Sequence, residues 1–187
     1  DGQEGFDTLS GGSGNDRLYD GQGGDDVLDG GAGDDILIVD RQPGRTATAS
    51  LVSLLGGAGD DRLSLSDNFA TATLSGGAGI DRIDVYRAYS VTIDAGAGND
   101  RVRVGDVDRS AITLGTGADV LELLDGAGFR GPLTVKDFAT GAGGDAVDLW
   151  SWLATTLPGA QDSNPFGAGY LRLVQNGADT LLQYDQD

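Results

Sequence analysis

A six-residue phrase, Gly-Gly-x-Gly-x-Asp, recurs along the chain, and each copy is followed one residue later by an aliphatic residue. Clear copies begin at Gly11, Gly30, Gly56 and Gly76. Glycine permits a tight turn whose carbonyl groups face one point, and the aspartate brings a carboxylate to the same point. Carbonyl and carboxylate oxygens are the ligands that a hard cation such as calcium requires. Each phrase is therefore a predicted calcium-binding turn.

The spacing of the phrases predicts a coil. The aspartates that mark them are Asp7, Asp16, Asp26, Asp35, Asp61, Asp81, Asp100 and Asp119. They are separated by 9, 10 and 9 residues, then by 26, and finally by 20, 19 and 19 residues. A nonapeptide supplies six residues of turn and three of strand, so two nonapeptides complete one coil and alternate turns stack on the same edge. We expect extra residues in the segment 40–50 to account for the gap of 26.

The doubled spacing divides the turns between two edges of the coil. One edge, called the long edge below, carries Asp16, Asp35, Asp61, Asp81, Asp100 and Asp119. The other, called the short edge, carries Asp7 and Asp26. Beyond Asp26 we expect ordinary loops on the short edge at 66–72, 86–90 and 105–110.

Short alternating segments follow the aspartates and predict strands. Alternation with period two places one set of side chains in the interior: Leu63, Ile83, Val102 and Leu121. Stacked coils would bury this narrow apolar stripe between two parallel sheets, whereas each ordered glycine costs backbone entropy. Hydrophobic burial alone is therefore not expected to fold this all-β chain.

The composition changes after Asp125, and most of the aromatic residues of the chain lie beyond it. We expect the coil to span residues 1–124, with nonapeptides on both edges in 1–38 and longer coils in 39–124. Residues 125–187 form the predicted C-terminal capping region, because the last rung of a coil would otherwise expose an apolar face.

Within the capping region the sequence favours a final strand in 131–138, a short helix at 148–157 and a hairpin. The hairpin strands are 170–175 and 180–184. The aromatic residues of this region are interpreted as a hydrophobic plug, with an aromatic ligand pocket as the alternative.

Composition and charge exclude several classes of function. The net charge of −18 argues against nucleic acid and anionic membrane as partners. The chain has no Cys and no His, so disulfides and Ser-His-Asp or thiol catalysis are excluded within it. A carboxylate pair stays formally possible as a catalytic device. Disorder in the absence of metal also stays open, and no apolar run reaches the ~18 residues of a membrane span.

The nonapeptide Gly-Gly-x-Gly-x-Asp-x-aliphatic-x resembles the repeat of RTX (repeats-in-toxin) proteins, and the resemblance covers roughly residues 2–124. Segments 135–138 and 143–149 resemble the cap of such rolls, and 169–187 is similar to C-terminal regions of type I-secreted RTX proteins. The resemblance implies a right-handed parallel β-roll, a β-helix-like solenoid with a C-terminal capping segment. It further implies calcium as the cofactor, the type I secretion apparatus as a partner during export, and a secreted, extracellular or cell-surface location for a monomeric module.

The family pattern also implies ligands. Each calcium lies between two stacked turns, bound by carbonyls of phrase positions two and four of the earlier turn, positions one and three of the later turn, and both aspartates. On the long edge the five implied sets are Gly12, Gly14, Asp16, Gly30, Ala32 and Asp35; Gly31, Gly33, Asp35, Gly56, Ala58 and Asp61; Gly57, Gly59, Asp61, Gly76, Ala78 and Asp81; Gly77, Gly79, Asp81, Ala95, Ala97 and Asp100; and Gly96, Gly98, Asp100, Leu114, Thr116 and Asp119. On the short edge the set is Gln3, Gly5, Asp7, Gly21, Gly23 and Asp26.

Two features depart from the family pattern. Ala95 and Leu114 stand where the phrase has its first glycine, and we expect these turns to be distorted unless φ is negative there. Asp119 could share a further ion with the cap through Asp137 or Asp145. In all, about six or seven calcium ions are expected, and their charge of about +12 to +14 would cancel most of the −18.

Arg62, Arg82 and Arg101 occupy the same outward position in consecutive coils. They could form a basic strip for a polyanionic partner, or a ladder that offsets nearby carboxylates. We expect the ladder, with Asp60, Asp84 and Asp106 as the partners.

The resulting expectation is a non-catalytic module that folds when it binds calcium outside the cell, supporting type I secretion and stabilising a larger secreted protein. Its alternatives are an adhesin, surface-layer or glycan-binding module, or the non-catalytic C-terminal part of a secreted hydrolase. Since the chain opens within a repeat at Asp1-Gly2, we expect a further segment upstream, where a catalytic domain could lie.

Overall fold

Each aspartate of the long edge is followed immediately by a β-strand. In the computed structural model, which describes residues 2, 4–41, 50–66, 70–124, 132–156, 164–167, 171–176 and 179–184, the chain is nearly all β. The strands are β1 (Thr8–Ser13), β2 (Arg17–Asp20), β3 (Asp26–Ala32), β4 (Ile36–Asp40), β5 (Ser50–Ala58), β6 (Arg62–Ser66), β7 (Ala70–Ala78), β8 (Arg82–Ala97), β9 (Arg101–Thr113), β10 (Val120–Leu123), β11 (Leu133–Val135), β12 (Ala146–Asp148), β13 (Leu171–Asn176) and β14 (Asp179–Tyr184), with one helix, α1 (Trp150–Thr156).

Strands β1 to β12 stack as a parallel solenoid of about six turns. One side carries β1, β3, β5 and β7 in order, followed by the second halves of β8 and β9 and then β11. The opposite side carries β2, β4 and β6, the first halves of β8 and β9, β10 and β12. The predicted all-β parallel solenoid is confirmed.

The core is a narrow apolar stripe between the two sides. On one side it contains Leu37, Leu63, Ile83 and Val102, which are opposite one another in register and fully buried. With Leu121, at 1 % exposure, the inward positions predicted from the alternation are confirmed. Facing them are the buried side chains Leu28, Leu54, Leu74, Ile93 and Ile112. Each coil supplies only a few such residues to the stripe.

The prediction of loops at 86–90 and 105–110 is wrong, because these residues belong to strands. Strands β8 and β9 run through these positions and change sides at one residue each. Arg87, at φ 60°, and Asp106, at φ 51°, adopt the left-handed conformation there. A single left-handed residue turns the strand with fewer residues than a loop needs. The predicted loop at 66–72 is too long, because Ser66 ends β6 and residues 70–72 belong to β7; its residues 67–69, and residues 42–49 of the segment 40–50, lie outside the described residues.

The end of the roll is covered by a second, smaller cluster. Trp152 and Leu153 of α1 and Leu171 of β13 are buried there, with Leu123 of β10 and Leu149 packed against them. The predicted helix is therefore present, and β13 and β14 form the predicted antiparallel pair, with Asn176 opposite Asp179.

The hydrophobic plug is smaller than expected. Trp150 is 62 % exposed, and Phe138 and Phe166 are also exposed. Phe129 and Tyr170 lie outside the described residues. The helix α1 has only seven residues, and no helix in the described part of the chain has the length and apolarity of a membrane span.

Candidate metal centres

The turns of the long edge share one backbone conformation. In every turn the glycines at phrase positions two and four have positive φ, between 95° and 147°. The pairs are Gly12 and Gly14, Gly31 and Gly33, Gly57 and Gly59, Gly77 and Gly79, Gly96 and Gly98, and Gly115 and Gly117. Because these conformations favour glycine and the turns approach one another closely, the phrase fixes how consecutive turns stack.

A continuous chain of hydrogen bonds links the aspartates of the long edge. The backbone N–H of Asp16 donates to Oδ1 of Asp35 at 2.7 Å. Asp35 and Asp61 donate in the same way to the aspartate of the following coil, each at 2.8 Å. The bonds from Asp81 to Asp100 and from Asp100 to Asp119 are also 2.8 Å long. Each carboxylate is thereby held against the preceding turn by one oxygen, with its other oxygen left for a different contact.

That second oxygen has no hydrogen-bond partner among the described residues. It is buried in all six aspartates of the row, Asp16, Asp35, Asp61, Asp81, Asp100 and Asp119. Asp81, for example, is only 1 % exposed. A buried carboxylate oxygen without a partner is costly unless a cation or a hydrogen-bond donor faces it. Six such atoms in one row indicate that the spaces between consecutive turns of the long edge are suited to cations.

In the turns with glycine at position one, the unpaired oxygen lies near a carbonyl of the next coil. A Cβ placed on Gly11 would lie 2.7 Å from Oδ2 of Asp16 and 2.6 Å from the carbonyl oxygen of Gly30. A Cβ on Gly56 would lie 2.5 Å from Oδ2 of Asp61 and 2.5 Å from the carbonyl oxygen of Gly76. The carboxylate and the carbonyl therefore line the same small space, which glycine keeps open.

The remaining predicted ligand carbonyls lie between the same pairs of turns. At position three, the Ala32 and Ala58 carbonyls accept hydrogen bonds of 2.7 Å from Gly14 and Gly33 of the preceding turn. Those of Ala78, Ala97 and Thr116 do the same, at 2.8 to 2.9 Å. A carbonyl has two lone pairs, so these oxygens keep capacity for a cation. The structure thus brings the aspartates and carbonyls of each predicted long-edge set to one interface between turns.

The donors are of the kind that calcium prefers. Among the described residues no group of three or more His, Cys, Asp or Glu side chains could hold a metal ion. A cation in these turns would have carboxylate and backbone carbonyl oxygens as its ligands. Oxygen-only coordination with few charges suits Ca²⁺ better than zinc or the softer transition metals.

Burial changes the proton affinity of the row. Desolvation raises the pKa of Asp81 and of Asp100 from the ordinary value of 3.8 to about 6, against the lowering effect of the N–H bond that each accepts. Burial also raises the pKa of Asp61 and Asp119, and neighbouring carboxylates add to the effect. A protonated carboxyl is a poorer calcium ligand, so protons and cations compete for the same oxygens.

The distortion expected at Ala95 and Leu114 is not found in the backbone. Both residues lie outside the positive-φ region, and the register continues from Ala78 through Ala97 to Thr116. Their side chains are fully buried at the margin of the apolar core. In these two turns a side chain at phrase position one is therefore sterically tolerated. In the turns with glycine at that position, an added Cβ would point towards the carboxylate of the same turn.

The short edge repeats the arrangement once. The N–H of Asp7 donates to Oδ1 of Asp26 at 2.9 Å, and the N–H of Gly5 donates to the carbonyl of Gly23 at 2.9 Å. Gly21 belongs to the same turn as Gly23 and Asp26, whereas Gln3 lies outside the described residues. Of the predicted set on this edge, the described members stack as their counterparts on the long edge do.

One feature of the site was missed in the sequence, and another was predicted only in part. The first is Arg41, whose guanidinium bonds to Asp20, Asp26 and the carbonyl of Gly24 at the end of the short edge. The available signal was a lone arginine directly after β4, at the point where the glycine phrase is lost.

The partly predicted feature is Asp145, which was already a candidate partner of Asp119 from the sequence and which the structure places at the end of the long row. The N–H of Asp119 donates to Oδ1 of Asp145 at 3.1 Å, and β12 pairs in register with β10. Gly141 and Gly143 have positive φ as in the regular turns. The signal was the spacing Gly141-x-Gly143-x-Asp145 inside the predicted cap.

The cap also closes the last regular turn. Both oxygens of Asp137 accept backbone N–H bonds, from Leu114 and Gly115, at 2.8 Å. The second oxygen of Asp145 accepts the N–H of Ala139 at 2.7 Å. Asp137 and Asp145, the two candidate partners of Asp119, therefore both lie at its turn, with their oxygens already engaged by the backbone.

The arginines of the outer face form a ladder of ion pairs with two carboxylates. Asp84 pairs with Arg62 at 3.3 Å, Arg82 at 3.0 Å and Arg103 at 3.3 Å. Glu122 pairs with Arg101 at 2.6 Å and with Arg103 at 3.1 Å.

Of the predicted partners, only Asp84 has this role in the described ion pairs. Oδ1 of Asp60 instead accepts the N–H of Ile80 at 2.7 Å. The ladder interpretation is thus supported with a corrected partner list.

Comparison with protein families agrees with this geometry. The model of the RTX calcium-binding nonapeptide repeat matches the chain in four copies, over residues 1–37, 52–67 and 88–108. Comparison with curated proteins and with solved structures gives no significant match.

Proposed function

Since residues 1–108 carry RTX calcium-binding nonapeptide repeats, we propose that this calcium-binding module folds when it binds calcium outside the cell and thereby supports the secretion and stability of a larger protein. The observation that carries the proposal is the row of six buried aspartate oxygens without a partner. Extracellular calcium modules bind in the range of about 10⁻⁴–10⁻³ M. Such an affinity would leave the chain metal-free at cytosolic calcium concentrations and loaded outside.

The proposed ions lie between consecutive turns, five on the long edge and one on the short edge, with the ligand sets implied by the repeat. Asp35, Asp61, Asp81 and Asp100 each belong to two neighbouring sets. One ion therefore orders the turn that the next ion needs, which makes binding cooperative along the edge. A seventh ion between Asp119 and the cap would find only the Asp119 oxygen unpaired, because both oxygens of Asp137 and of Asp145 accept backbone N–H groups.

Folding and binding are coupled because the metal-free row is electrostatically unfavourable. Neighbouring strands in a sheet are ~4.8 Å apart, and unneutralised carboxylates at that spacing repel one another strongly. The two divalent charges on either side of a shared aspartate remove this repulsion. Because the apolar stripe is narrow, we expect the metal-free chain to be largely unfolded at neutral pH.

A calcium titration tests the proposal. Circular dichroism and light scattering of the metal-free chain should report little β-structure and an expanded chain, and both signals should change together and steeply as calcium reaches the submillimolar to millimolar range. Magnesium serves as the control, because its small octahedral shell does not suit carbonyl-rich turns. A cooperative native fold in excess chelator at pH 7 would contradict coupled folding.

The alternative of an adhesin or glycan-binding module has less support. Thr73 and Thr92 lie opposite each other in register on an exposed face, but the series ends at Ala111. The arginine strip that could attract a polyanion is paired with Asp84 and Glu122.

A further inference from the structure

The short edge ends at a buried cluster of opposite charges. Asp20 is fully buried and Asp26 is 1 % exposed. A terminal nitrogen of Arg41 donates to Oδ2 of Asp20 at 3.1 Å, to Oδ2 of Asp26, and to the carbonyl oxygen of Gly24 at 3.1 Å. One guanidinium group thus binds two carboxylates and a carbonyl in a single place.

These oxygens correspond to those that the long edge leaves unpaired. Asp26 closes the phrase that begins at Gly21, and its Oδ1 accepts the N–H of Asp7 as the long-row aspartates accept theirs. Its Oδ2 is the counterpart of the six unpaired oxygens of the long edge. The carbonyl of Gly24 occupies phrase position four. On this turn, therefore, Arg41 donates to the Asp26 oxygen whose counterparts on the long edge have no hydrogen-bond donor.

The backbone fixes where the arginine can reach. Arg41 directly follows β4, and its N–H donates to the carbonyl of Ser66 at 3.0 Å, which extends the pairing of β4 with β6. Its side chain is only 11 % exposed. The residue therefore lies one coil above Asp26, at the level where a further glycine turn would otherwise complete a metal site.

We propose that Arg41 is a tethered cation that takes the place of a metal ion above Asp26 and ends the calcium row of the short edge. The inference rests on the proposed calcium binding of the other turns. One guanidinium charge leaves the pair Asp20 and Asp26 with a residual negative charge, which a divalent ion would neutralise completely. The cluster is thus a cation site that the chain fills with its own side chain.

Replacing the arginine tests this assignment. In Arg41→Gln the two buried carboxylates lose their cation, and in saturating calcium the variant should bind one calcium ion more per chain than the unmodified protein, counted by equilibrium dialysis with elemental analysis. The double variant Asp20→Asn with Arg41→Gln should lose this additional ion, because a single carboxylate remains. Arg87→Gln is the matched control: Arg87 lies on the same edge but donates to the hydroxyl of Ser66 at 3.0 Å, and its loss should leave the ion count unchanged.

The outcomes separate this inference from the proposed function. If the unmodified protein binds no calcium, the proposed function fails and the inference with it. If the unmodified protein binds calcium but folded Arg41→Gln binds the same number of ions, only the assignment of Arg41 is overturned.

If Arg41→Gln does not fold, the variant Arg41→Lys, which keeps the positive charge, decides whether the site requires a cation. If Arg41→Lys restores both the fold and the unmodified ion count, the requirement is for a cation and the assignment stands. If Arg41→Lys also fails to fold in saturating calcium, the site requires the arginine shape rather than a cation, and the assignment is overturned.

Discussion

At Gly56 a single methyl group would stand between Oδ2 of Asp61 and the carbonyl oxygen of Gly76, about 2.5 Å from each. At Gly56, therefore, glycine keeps open the space beside it and does not serve an unusual φ. This distinguishes it from the glycines at positions two and four, which have positive φ. The same residue type thus has two different physical roles within one six-residue phrase.

Gly56→Ala should remove calcium from one site. The added Cβ fills the space that Asp61 and Gly76 line, so we expect about one ion fewer per chain and a higher calcium midpoint for folding. At calcium concentrations near one hundred times the Kd, losing one ion costs about 2.7 kcal/mol. Ion counting and thermal melting at fixed calcium measure both effects.

Gly23→Ala is the matched control for that substitution. Gly23 occupies position three, has no positive φ, and a Cβ on it would meet no atom within 4 Å. Ala32 and Ala58 already occupy the same position in the long-edge turns. An equal loss of calcium in Gly23→Ala and Gly56→Ala would contradict the specific role of position one.

At the scale of the strands, the corners at Arg87 and Asp106 replace the glycine turns of the short edge. Both residues adopt the left-handed conformation, and the flanking pairs Tyr86 with Gly105 and Ala88 with Val107 stay in register. A strand can therefore pass from one side of the roll to the other with one strained residue. Side-chain contacts such as Arg87 with Ser66 hold the corner.

Arg87→Gly should be more stable than Arg87→Ala. Both variants lose the contact with Ser66, but only glycine adopts φ near 60° without the penalty of about 1–2 kcal/mol that a Cβ imposes. Chemical denaturation in saturating calcium compares the free energies of unfolding. Ala88→Gly, one residue further along in ordinary β conformation, should instead destabilise the roll by roughly 0.5–1 kcal/mol; the same ranking at both positions would rule out the conformational explanation.

Much of the fold could be predicted because the phrase repeats. The aspartate spacing assigns each turn to an edge, and the alternation after each aspartate identifies Leu63 and Ile83 as core residues. The corner at Arg87 could not be predicted, because no sequence signal marks a non-glycine residue for a left-handed conformation. That conformation is imposed by the pairing of the coils on both sides of it.

The candidate site could be predicted only where it follows the repeat. The carboxylate row from Asp16 to Asp119 follows from spacing alone. The pairing of Arg41 with Asp26 depends on contacts across 15 residues between different elements, and the role of Asp145 depends on the register of β12 with β10. The pairing of Arg41 became visible only once the stacking of the coils was known, whereas Asp145 was already a candidate from the sequence and the stacking gave its place in the row.

At the scale of the whole molecule, the net charge of −18 is not evenly spread, since one part of it forms a buried row. A raised carboxyl pKa in the folded state means that protonation favours the metal-free fold. This contribution is fully present below the ordinary value of 3.8 and is lost as the pH rises through about 6, the pKa of Asp81 and Asp100. Above pH 6 the row therefore needs cations.

Lowering the pH from 7 to 5 should raise the calcium concentration needed for half-saturation, because protons displace the ion from Asp81 and Asp100. The metal-free chain should at the same time gain some β-structure, since its carboxylates no longer repel one another. Calcium titrations followed by circular dichroism at the two pH values measure both effects. Asp81→Asn should show a smaller dependence on pH, and an identical calcium midpoint at pH 5 and pH 7 would contradict the assigned pKa values.

The hydrogen bonds that link the aspartates of the long edge all run from one coil to the next along the roll, and the series ends at Asp145. Every aspartate from Asp35 to Asp119 is anchored by the coil before it and keeps one oxygen unpaired, whereas Asp145 has both oxygens engaged by backbone N–H groups. A second copy of the chain stacking on this end would find no free carboxylate oxygen on Asp145 to share a cation with. Strands β11 and β12, with three residues each, also offer little edge for pairing. Asp145 therefore ends the row of unpaired carboxylate oxygens at this end of the long edge.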